Sequence, residues 1–391
     1  MKSFDEYKIL NNDKLKFDIN SRVLLLQGPI GNYFNEFSKF LQKENAKVFK
    51  INFTLAECLF YREKNSFYFK DKFENWPDFF KNFIERNKIN RVYMLNDSRP
   101  YHQSIIRICN ELSVQLYVFE DGYFRPNYIT LEPYGVNGNS LFRCFHNELE
   151  PQYKNYQLNF NLKNKFLSRL TFSLLSCMQP VIDKNYIAYR SLSPLYWLKK
   201  YLKQFAIKIS YFYQDHYMLR RALKRKPKKI FFIPLQVFDD SQIKYHSKFS
   251  SNYDFINAVH KAFNNLYQDN DFLIIFKQHP GDQGLINYKK YILSLFNSKN
   301  VIFVFNIDAN HLIDISNAVI LINSTLGINA LKLNKKVFLF GSSVYESHCY
   351  SGDLISFIQE NIEEEFNEVL KNKKFLNKLK YATQVKSSFY K

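Results

Sequence analysis

Short apolar runs alternate with helix-length segments in two blocks of this 391-residue chain. Runs that are apolar at nearly every position suit strands buried on both faces, as in parallel sheets, better than the strands of hairpins. Strands that alternate with amphipathic segments form βαβ units, so the pattern predicts two Rossmann-like α/β domains. Helices are predicted at Asn32–Glu44 and about Tyr101–Leu112. The predicted strands are residues 22–28, 47–53, 91–97 and 115–120 in the first block, and 229–236, 272–278, 301–306, 318–323 and 336–341 in the second.

The two blocks and the composition between them divide the chain into four predicted segments. One Rossmann-like domain occupies residues 1–190 and a second occupies residues 229–350. Residues 191–228 form a basic, aromatic-rich helical linker, and residues 351–391 form C-terminal helices that we expect to pack back on the N-terminal domain. This organisation is GT-B-like, an α/β architecture in which two Rossmann-like domains face a central cleft.

The linker region is strongly basic. Residues 195–229 contain eleven Lys or Arg residues and one acidic residue, Asp215, with Tyr, Trp and Phe interleaved throughout. Such a segment suits a helix that packs its aromatic stripe on a domain, or a helix that lies on an anionic membrane surface. Nucleic-acid binding is less favoured because no nucleic-acid-binding fold motif accompanies the charge. The first two alternatives stay open at this point.

Composition restricts the class and the compartment of the protein. A hydrophobic fraction of 46% argues against a disordered chain, and the net charge of +19 favours anionic partners. The N-terminus lacks a signal-peptide core, and no uncharged run reaches the roughly 18 residues of a membrane span. We therefore expect a cytoplasmic protein that touches a surface. Scattered cysteines without CxxC spacing agree with a reducing compartment: Cys58, Cys109, Cys144, Cys177 and Cys349.

The segment VQLYVFEDGYFRP, residues 114–126, places two carboxylates at the end of a predicted strand. In open α/β sheets, ligands bind at the carboxyl ends of the strands. Glu120 and Asp121 are therefore candidates for catalysis, although an acidic turn paired with Arg125 would give the same pattern. Consecutive strand residues point in opposite directions, so we expect Asp121 to face the ligand and Glu120 to be structural.

Two other segments follow strands of the first block. Gln27 and Gly28 begin a turn that offers backbone amides to a substrate, although its glycine content is below that of a dinucleotide-binding loop. The segment NDSRPYH places Arg99 and His102 after another strand. Arg99 and Arg125 are candidates for a clamp on a carboxylate or phosphate, with an ordinary Arg–Asp ion pair as the alternative.

In the second block, cationic and hydroxyl side chains follow the strands. FKQHPGDQG, residues 276–284, brings a lysine and a histidine to a strand end where a phosphate can bind, although a lone histidine there is often structural. ILINSTLGINAL, residues 320–331, joins a strand to a helix through residues that cap helices or bind anions. The loop after residue 235 is polar and suits a base or a ribose. The donor-binding candidates are Gln236, Lys277, His279, Pro280, Asn323, Ser324 and Thr325.

Carboxylates in one domain and phosphate-binding features in the other are typical of a nucleotide-sugar transferase. The sequence contains no GxSxG elbow, Walker A loop or HExxH motif. We therefore expect no metal ion and no cofactor, with a nucleotide-sugar donor as the bound small molecule.

The motifs also resemble those of a known family. LQGPIGNYF, NDSRPYH, FEDGYFRPNYITLE, GVNGNS, PLQVFDDSQIKYHS, FKQHPGDQG and INSTLGINAL occur, over about residues 22–350, in the order seen in bacterial capsule polysaccharide proteins of the KpsS/LipB type. The resemblance implies a retaining β-Kdo transferase that uses CMP-Kdo to start a Kdo linker on lysophosphatidylglycerol. It also implies work at the inner face of the cytoplasmic membrane, beside a second Kdo transferase and the capsule export machinery.

The resemblance assigns roles to the candidate residues. Retention requires two displacements, and the first uses a carboxylate close to the anomeric carbon, here Asp121. Glu120 or His102 would act as general base. The remaining roles are CMP phosphate binding by Lys277, His279, Ser324 and Thr325, a cytidine contact by Gln236, and binding of the Kdo carboxylate by Arg99 or Arg125.

Two alternative functions remain. One is a transferase for another CMP-activated acidic sugar, such as a sialic acid, because phosphate-binding motifs do not identify the sugar. The other is a non-catalytic component of capsule assembly or export that keeps the fold as a scaffold. Release of CMP from a donor distinguishes an enzyme from a scaffold.

Overall fold

The computed structural model describes residues 2–150, 156–188, 194–264, 272–282, 285–363 and 369–390. The chain divides into two compact units, one formed by Met1–Tyr196 with Asn377–Lys391 and the other by Trp197–Leu376. This division differs from the predicted segments because most of the basic region belongs to the second unit. The predicted boundary at residues 190–191 and the end of FKQHPGDQG, at residues 283–284, lie outside the described residues.

Strands and helices alternate through most of the described chain. The strands are β1 (Arg22–Leu25), β2 (Lys47–Asn52), β3 (Ser66–Tyr68), β4 (Arg91–Leu95), β5 (Gln115–Asp121), β6 (Tyr128–Pro133), β7 (Lys229–Pro234), β8 (Phe272–Lys277), β9 (Val301–Val304), β10 (Ala318–Leu321), β11 (Lys336–Leu339) and β12 (Gln384–Lys386). The helices are α1 (Phe4–Asp13), α2 (Tyr33–Lys43), α3 (Leu55–Phe60), α4 (Trp76–Asn87), α5 (Pro100–Glu111), α6 (Phe142–Phe145), α7 (Lys165–Ile182), α8 (Pro194–Leu223), α9 (Ser241–His246), α10 (Asn252–Asn264), α11 (Lys289–Phe296), α12 (Ala309–Ile315), α13 (Leu326–Lys332), α14 (Leu354–Glu363) and α15 (Val369–Thr383).

The two sheets share one strand order. In the first, β3-β2-β1-β4-β5 are parallel, and β6 and then β12 extend the β5 edge, with antiparallel pairing between β5 and β6 and between β6 and β12. The second sheet has the order β9-β8-β7-β10-β11 and is parallel throughout. Each chain segment therefore starts in the middle of its sheet, moves to one edge and returns past its start. This is the doubly wound order, and the predicted α/β fold with two Rossmann-like sheets is confirmed.

Burial on both faces explains the apolar runs. Val23 and Leu25 of β1 belong to one buried cluster, whereas Leu24 and Leu26 belong to the cluster on the opposite face. Helix α2 lies where residues 32–44 were predicted, and buries Phe34, Phe37 and Leu41, among others, at helical spacing. Because most of the parallel strands are covered on both faces, the polar residues that follow them are concentrated at the carboxyl edges. The short edge strand β3 is the exception and is largely exposed.

Strand β6 was missed in the sequence analysis. Its residues YITLEP are buried from Ile129 onward, including Thr130 and Glu132. These two polar side chains interrupt the apolar pattern that marks the other strands, although they are as buried as their neighbours. A pattern based on hydrophobicity alone does not detect such a strand.

Candidate functional site

A pocket lies at the carboxyl ends of β1 and β4, where the first sheet changes direction. Gln27 and Gly28 follow β1, and Arg99 directly precedes α5. Arg99 Nη1 lies 3.5 Å from the Gly28 carbonyl oxygen, and all three residues line the pocket. A Cβ atom on residue 28 would lie 2.6 Å from the ring of Phe34, so α2 can pack this close only against a glycine. The fold thus brings together candidates from two separate motifs.

The pocket also contains an ion pair that the sequence analysis missed. Lys50 is buried in β2, where its Nζ donates to the Ile51 carbonyl oxygen at 2.7 Å and lies 3.5 Å from the Glu57 carboxylate. Burial lowers the pKa of Lys50, and the charge of Glu57 acts in the opposite direction. The sequence feature that indicates this pair is Lys50, which interrupts the apolar residues in the middle of the run KVFKINF, residues 47–53. Lys50 and Arg99, against the single carboxylate of Glu57, give the pocket lining a net positive charge that suits an anionic ligand.

The last two residues of β5 have different surroundings. The Glu120 carboxylate accepts hydrogen bonds from Asn96 Nδ2 at 2.7 Å and from the Asp121 backbone N–H at 2.9 Å. Burial, reinforced by the charge of Asp121, raises the pKa of Glu120 to about 7. The Asp121 side chain is 60% exposed, and its carboxylate lies 3.6 Å from Arg125 Nη2. Glu120 therefore supports the strand end, while the Asp121 carboxylate is accessible.

Helix α7 contributes a further cation near Asp121, Lys165, with Arg169 beside it. The side chains of Lys165 and Arg169 lie over the ring of Tyr390, at 5.1 and 5.9 Å from its centre. Burial and then the charge of Arg169 lower the pKa of Lys165, whereas the charge of Asp121 raises it. Asp121 and Lys165 are therefore close enough for their charges to interact. The sequence analysis missed both cations because they lie far from Asp121 along the chain.

His102 is completely buried behind the loop that follows β4. Its Nδ1 lies 2.7 Å from the Asn96 carbonyl oxygen, and its Nε2 has no hydrogen-bond partner among the described residues. Burial, reinforced by the charge of Arg99, lowers the pKa of His102 to about 3. An imidazole of such low basicity is a poor general base near neutral pH. Its contact with Asn96, which also binds Glu120, gives it a supporting place under the strand ends.

Two buried carboxylates hold the GVNGNS loop, residues 135–140. Asp97 accepts a hydrogen bond from the Val136 backbone N–H at 3.1 Å. Glu132 accepts hydrogen bonds from the hydroxyl groups of Tyr123 and Ser140. Burial raises the pKa of Glu132 to about 7. This loop is therefore fastened to Asp97, after β4, and to Glu132, in β6, and both carboxylates are buried.

The second sheet changes direction between β7 and β10, and the residues that follow these strands bind each other. Gln236 Oε1 accepts a hydrogen bond from the Asn323 backbone N–H at 3.0 Å, and Gln236 Nε2 donates to Asp240 at 3.2 Å. Asn323 Nδ2 in turn donates to the Gln242 carbonyl oxygen at 2.9 Å. Both side chains are buried. They tie the two strand ends together, while Asn323 Oδ1 is buried without a hydrogen-bond partner among the described residues.

The residues after β8 are also engaged internally. Lys277 is buried, and its Nζ donates to the Phe305 carbonyl oxygen at 3.1 Å. Burial lowers the pKa of Lys277, while the charge of Asp215 acts in the opposite direction. His279 Nδ1 accepts a hydrogen bond from the Gly281 backbone N–H at 2.9 Å, within the turn that begins at Pro280. Lys277 therefore stabilises the strand end.

Ser324 and Thr325 join β10 to α13 and are partly exposed. Ser324 Oγ accepts a hydrogen bond from the Leu326 backbone N–H at 3.3 Å, and the Ser324 carbonyl oxygen accepts one from the hydroxyl group of Tyr345. Thr325 directly precedes the helix and makes no side-chain capping bond. The two hydroxyl groups thus lie at the same carboxyl edge as His279 and the Gln236–Asn323 pair.

Comparison with known proteins identifies the family. The model of the family described as "Capsule polysaccharide biosynthesis protein" matches residues 90–390. The chain belongs to this capsule polysaccharide biosynthesis family. It is 31% identical over 352 residues to capsule polysaccharide modification protein LipB of Neisseria meningitidis serogroup B, covering 86% of this chain and 84% of that protein. It is 26% identical over 386 residues to capsule polysaccharide export protein KpsS of Escherichia coli, covering 94% and 97%.

Among solved structures, the capsule family member is similar to Thermosulfurimonas dismutans KpsC, beta Kdo 2,7 transferase. The TM-score is 0.47 with 14% sequence identity, and the match covers 92% of this chain and 89% of that one. The family match includes Asp121 and the donor-binding candidates of the second unit. Gln27, Gly28 and Lys50 precede residue 90, so the family match does not extend to that side of the pocket.

Helix α8 of this capsule protein has two different faces. One face packs on the second unit: Tyr211 contacts Phe305 with ring centres 4.4 Å apart, and the buried Asp215 carboxylate accepts hydrogen bonds from the backbone N–H groups of Phe305 and Asn306. The only acidic residue of the basic segment thus fastens the helix to the end of β9. Apolar side chains are exposed on the other side: Leu198, Leu202, Phe205, Ile209 and Tyr213. The structure supports packing for one face and leaves the other uncovered.

The described part of the capsule protein has neither a candidate metal centre nor a candidate membrane span. No group of three or more His, Cys, Asp or Glu side chains among the described residues is arranged to hold a metal ion. No helix within the described ranges is both long and apolar enough to cross a membrane.

Proposed function

We propose that the protein is a retaining glycosyltransferase that moves β-Kdo from CMP-Kdo to a lysophosphatidylglycerol-type acceptor, with Asp121 as nucleophile. The observation that carries this proposal is the exposed Asp121 carboxylate at the end of β5, with Arg125 at 3.6 Å and Lys165 within electrostatic range. Kdo has a carboxylate of its own, and a carboxylate nucleophile would repel it. Neighbouring cations compensate for this repulsion, which makes the arrangement suitable for an acidic sugar.

The reaction proceeds in two displacements. In the first, an oxygen of Asp121 forms a bond to the anomeric carbon while the bond from that carbon to the CMP phosphate oxygen breaks, and CMP leaves with the electron pair. In the second, the acceptor hydroxyl oxygen forms a bond to the same carbon and the ester to Asp121 breaks. The hydroxyl proton passes to solvent, to which Asp121 is open. Glu120 is a positioning residue, because its carboxylate holds the Asp121 backbone N–H.

Residues of the second unit contribute to donor binding in this proposal. His279, Ser324 and Thr325 contact the CMP phosphate, since they lie at one carboxyl edge and all three are partly exposed. Gln236, Lys277 and Asn323 shape that edge through their internal hydrogen bonds. Electrostatic stabilisation of the departing phosphate then comes mainly from the histidine and the hydroxyl groups.

In the first unit, the pocket at the Gly28 turn is assigned to the anionic group of the acceptor or of the sugar. Lys50 and Arg99 supply two buried cationic side chains, and Gln27 supplies an amide at the same place. A phosphate or carboxylate is recognised best by charge-assisted hydrogen bonds in such a partly enclosed setting.

The proposal includes peripheral attachment to the inner face of the cytoplasmic membrane through α8. The exposed apolar side chains of this helix are interspersed with lysines, an arrangement that suits an anionic lipid surface. Neutralising the cations should lower binding to liposomes that contain phosphatidylglycerol, and unchanged binding would count against this attachment. The substituted residues are Lys199, Lys200, Lys203, Arg220 and Arg221.

The decisive experiment is intact-protein mass spectrometry after incubation with CMP-Kdo generated in situ. Asp121→Cys should gain a mass equal to one Kdo residue at position 121, and wild type should release CMP when lysophosphatidylglycerol is present. Glu111→Gln is the matched control, because Glu111 forms an exposed ion pair with Arg107 at the same four-residue spacing as Asp121 and Arg125. No adduct together with no CMP release by wild type would exclude the proposed reaction.

A second candidate function is a non-catalytic role in capsule assembly or export. One observation favours it: the chain is similar to a protein named for capsule polysaccharide export, and the match covers 97% of that protein's length. CMP release that depends on Asp121 would reject this role. Release from another CMP-activated acidic sugar, such as a CMP-sialic acid, in preference to CMP-Kdo would retain the enzyme and change its donor.

A further inference from the structure

Helix α7 in the first unit turns its polar face inward. Ser168, Ser176 and Gln179 are its buried residues. Gln179 Nε2 donates to the Phe53 carbonyl oxygen at 3.2 Å, and Gln179 Oε1 accepts from the Leu55 backbone N–H at 3.1 Å, which fastens the helix to the start of α3. A surface helix of a soluble protein normally has the reverse arrangement, with its apolar face buried.

The outward face of α7 is a continuous apolar stripe. Its six side chains are between 45% and 82% exposed, and most of them follow one another at intervals of three or four residues, which places them along one side of the helix. Single exposed apolar residues need no explanation, but a contiguous stripe marks a contact surface. The stripe consists of Phe166, Leu167, Leu170, Leu174, Met178 and Val181.

The exposed charges on α7 and directly beside it in the sequence are positive, whereas the neighbouring Asp183 is buried. Lys163, Lys165 and Arg169 lie at its N-terminal end, and Lys184 follows its C-terminal end. No acidic residue occurs between Glu150 and Asp183 in the sequence. Apolar side chains flanked by cations suit a helix that lies in the plane of an anionic bilayer, with its apolar face among acyl chains and its cations among phosphates. Two copies of α7 packed on each other would bring like charges together.

The position of α7 connects this surface to the proposed site. Phe172, from the middle of the helix, lines the pocket at the Gly28 turn. Lys165, its first residue, interacts electrostatically with Asp121. A lipid surface in contact with the stripe would therefore lie beside both the pocket and the candidate nucleophile.

We propose that α7 is an in-plane membrane helix that seats the first unit on an anionic phospholipid bilayer and presents the pocket and Asp121 at the level of the headgroups. The identity of the lipid acceptor rests on the proposed function, whereas the binding of α7 to the bilayer does not. Helix α7 would act separately from α8, which belongs almost entirely to the second unit.

The test is flotation of the full chain with vesicles of phosphatidylcholine containing 30 mol% phosphatidylglycerol, a composition that supplies about one anionic headgroup in three. The triple variant Leu170→Gln, Leu174→Gln and Met178→Gln should bind these vesicles about ten-fold more weakly than wild type, because apolar area drives insertion. The control variant Ile9→Gln with Ile19→Gln should bind as wild type, since those exposed side chains of the first unit lie outside the stripe. Circular dichroism should report the same helix content for all three proteins.

A second readout detects insertion directly. Leu174→Trp should show a blue-shifted emission and quenching by brominated acyl chains in these vesicles, whereas Ile19→Trp should show neither. Equal vesicle binding by the triple variant and wild type would overturn the proposal. The same conclusion would follow if wild type were a dimer in solution and the triple variant a monomer with unchanged vesicle binding. CMP release with a short-chain, dissolved lysophosphatidylglycerol should be unchanged in the triple variant. Its absence in wild type would reject the proposed function while the vesicle result still decides the docking.

Discussion

The two sheets have the same strand order but differ in how their carboxyl edges use polar side chains. At the first edge, Asp121 is exposed, and Lys50 and Arg99 line a pocket. At the second edge, the side chains of Gln236 and Asn323 are buried. Gln236 accepts a hydrogen bond from the Asn323 backbone N–H, and the Asn323 amide donates one to the Gln242 carbonyl oxygen. One topology therefore supports two kinds of strand end, one with an exposed carboxylate and a pocket lined by buried cations, and one with a buried hydrogen-bond network.

This difference separates residues that act on a ligand from residues that hold the site together. Substitutions of accessible charges should change activity and leave stability nearly unchanged, because exposed ion pairs contribute little to folding. Substitutions in the buried network should lower stability, because a buried donor or acceptor then loses its partner. The opposite result at either edge would show that exposure does not separate ligand-binding residues from structural ones.

The largest effect is expected at Asp121. Asp121→Asn should lower CMP release at least about a thousand-fold, since the amide cannot form the ester intermediate. The free energy of unfolding in urea should stay within about 1 kcal/mol of wild type, because the side chain is 60% exposed. Glu111→Gln should retain full activity. A comparable loss of activity in both variants would show that surface charge, and not a nucleophile, matters here.

Gln236 tests the buried network of the second edge. Gln236→Ala removes the acceptor of the Asn323 backbone N–H and the donor to Asp240, and should destabilise the second unit by about 2 kcal/mol. Differential scanning calorimetry should show a lower melting temperature for this variant than for wild type. Gln242→Ala, in the same loop, is the control because Gln242 contributes a backbone carbonyl group to the network. An unchanged melting temperature with lost CMP affinity would make Gln236 a direct ligand contact.

Glu120 gives a pH dependence with a defined sign. Its pKa is raised from the ordinary value to about 7, so the folded state binds a proton that the unfolded state has lost at the same pH. The associated stability is present below about pH 4.5 and is lost as the pH rises through about 7. Glu120→Gln should therefore reduce the fall in unfolding free energy between pH 4.5 and 7 by about 1–2 kcal/mol. Identical pH profiles of unfolding in wild type and variant would contradict the burial of this carboxyl.

The smallest effect is expected in the pocket of the first edge. Lys50→Met should raise the KM for the lipid acceptor about ten-fold through loss of one charge-assisted contact, with little change in kcat. Lys47→Met is the matched control, because Lys47 lies on the same strand and is exposed. A change in kcat without a change in KM would place Lys50 nearer to the reacting atoms than proposed.

Most parallel strands of the two sheets were predictable from the sequence because burial on two faces leaves a continuous apolar run, as in β1 and β8. Strand β3 was not predicted, because its short segment is largely exposed. Glu120 and Asp121 were recognisable for the same reason, since charged residues directly after such a run mark a strand end. Strand β6 was not predictable, because its buried polar residues are held by tertiary hydrogen bonds. Thr130 accepts one from Gln384, which is distant in sequence, and Glu132 accepts them from Tyr123 and Ser140 in the flanking segments.

Tertiary contacts alone decided which polar groups are accessible. Asp121, Gln236 and His102 all follow or end predicted strands in the sequence. The packing of neighbouring elements exposes Asp121 and buries the other two. The same holds for α7, whose helical periodicity shows two faces without indicating which one is buried. Hydrophobicity is a property of each residue and is visible along the chain, whereas accessibility and charge pairing depend on residues that only folding brings together.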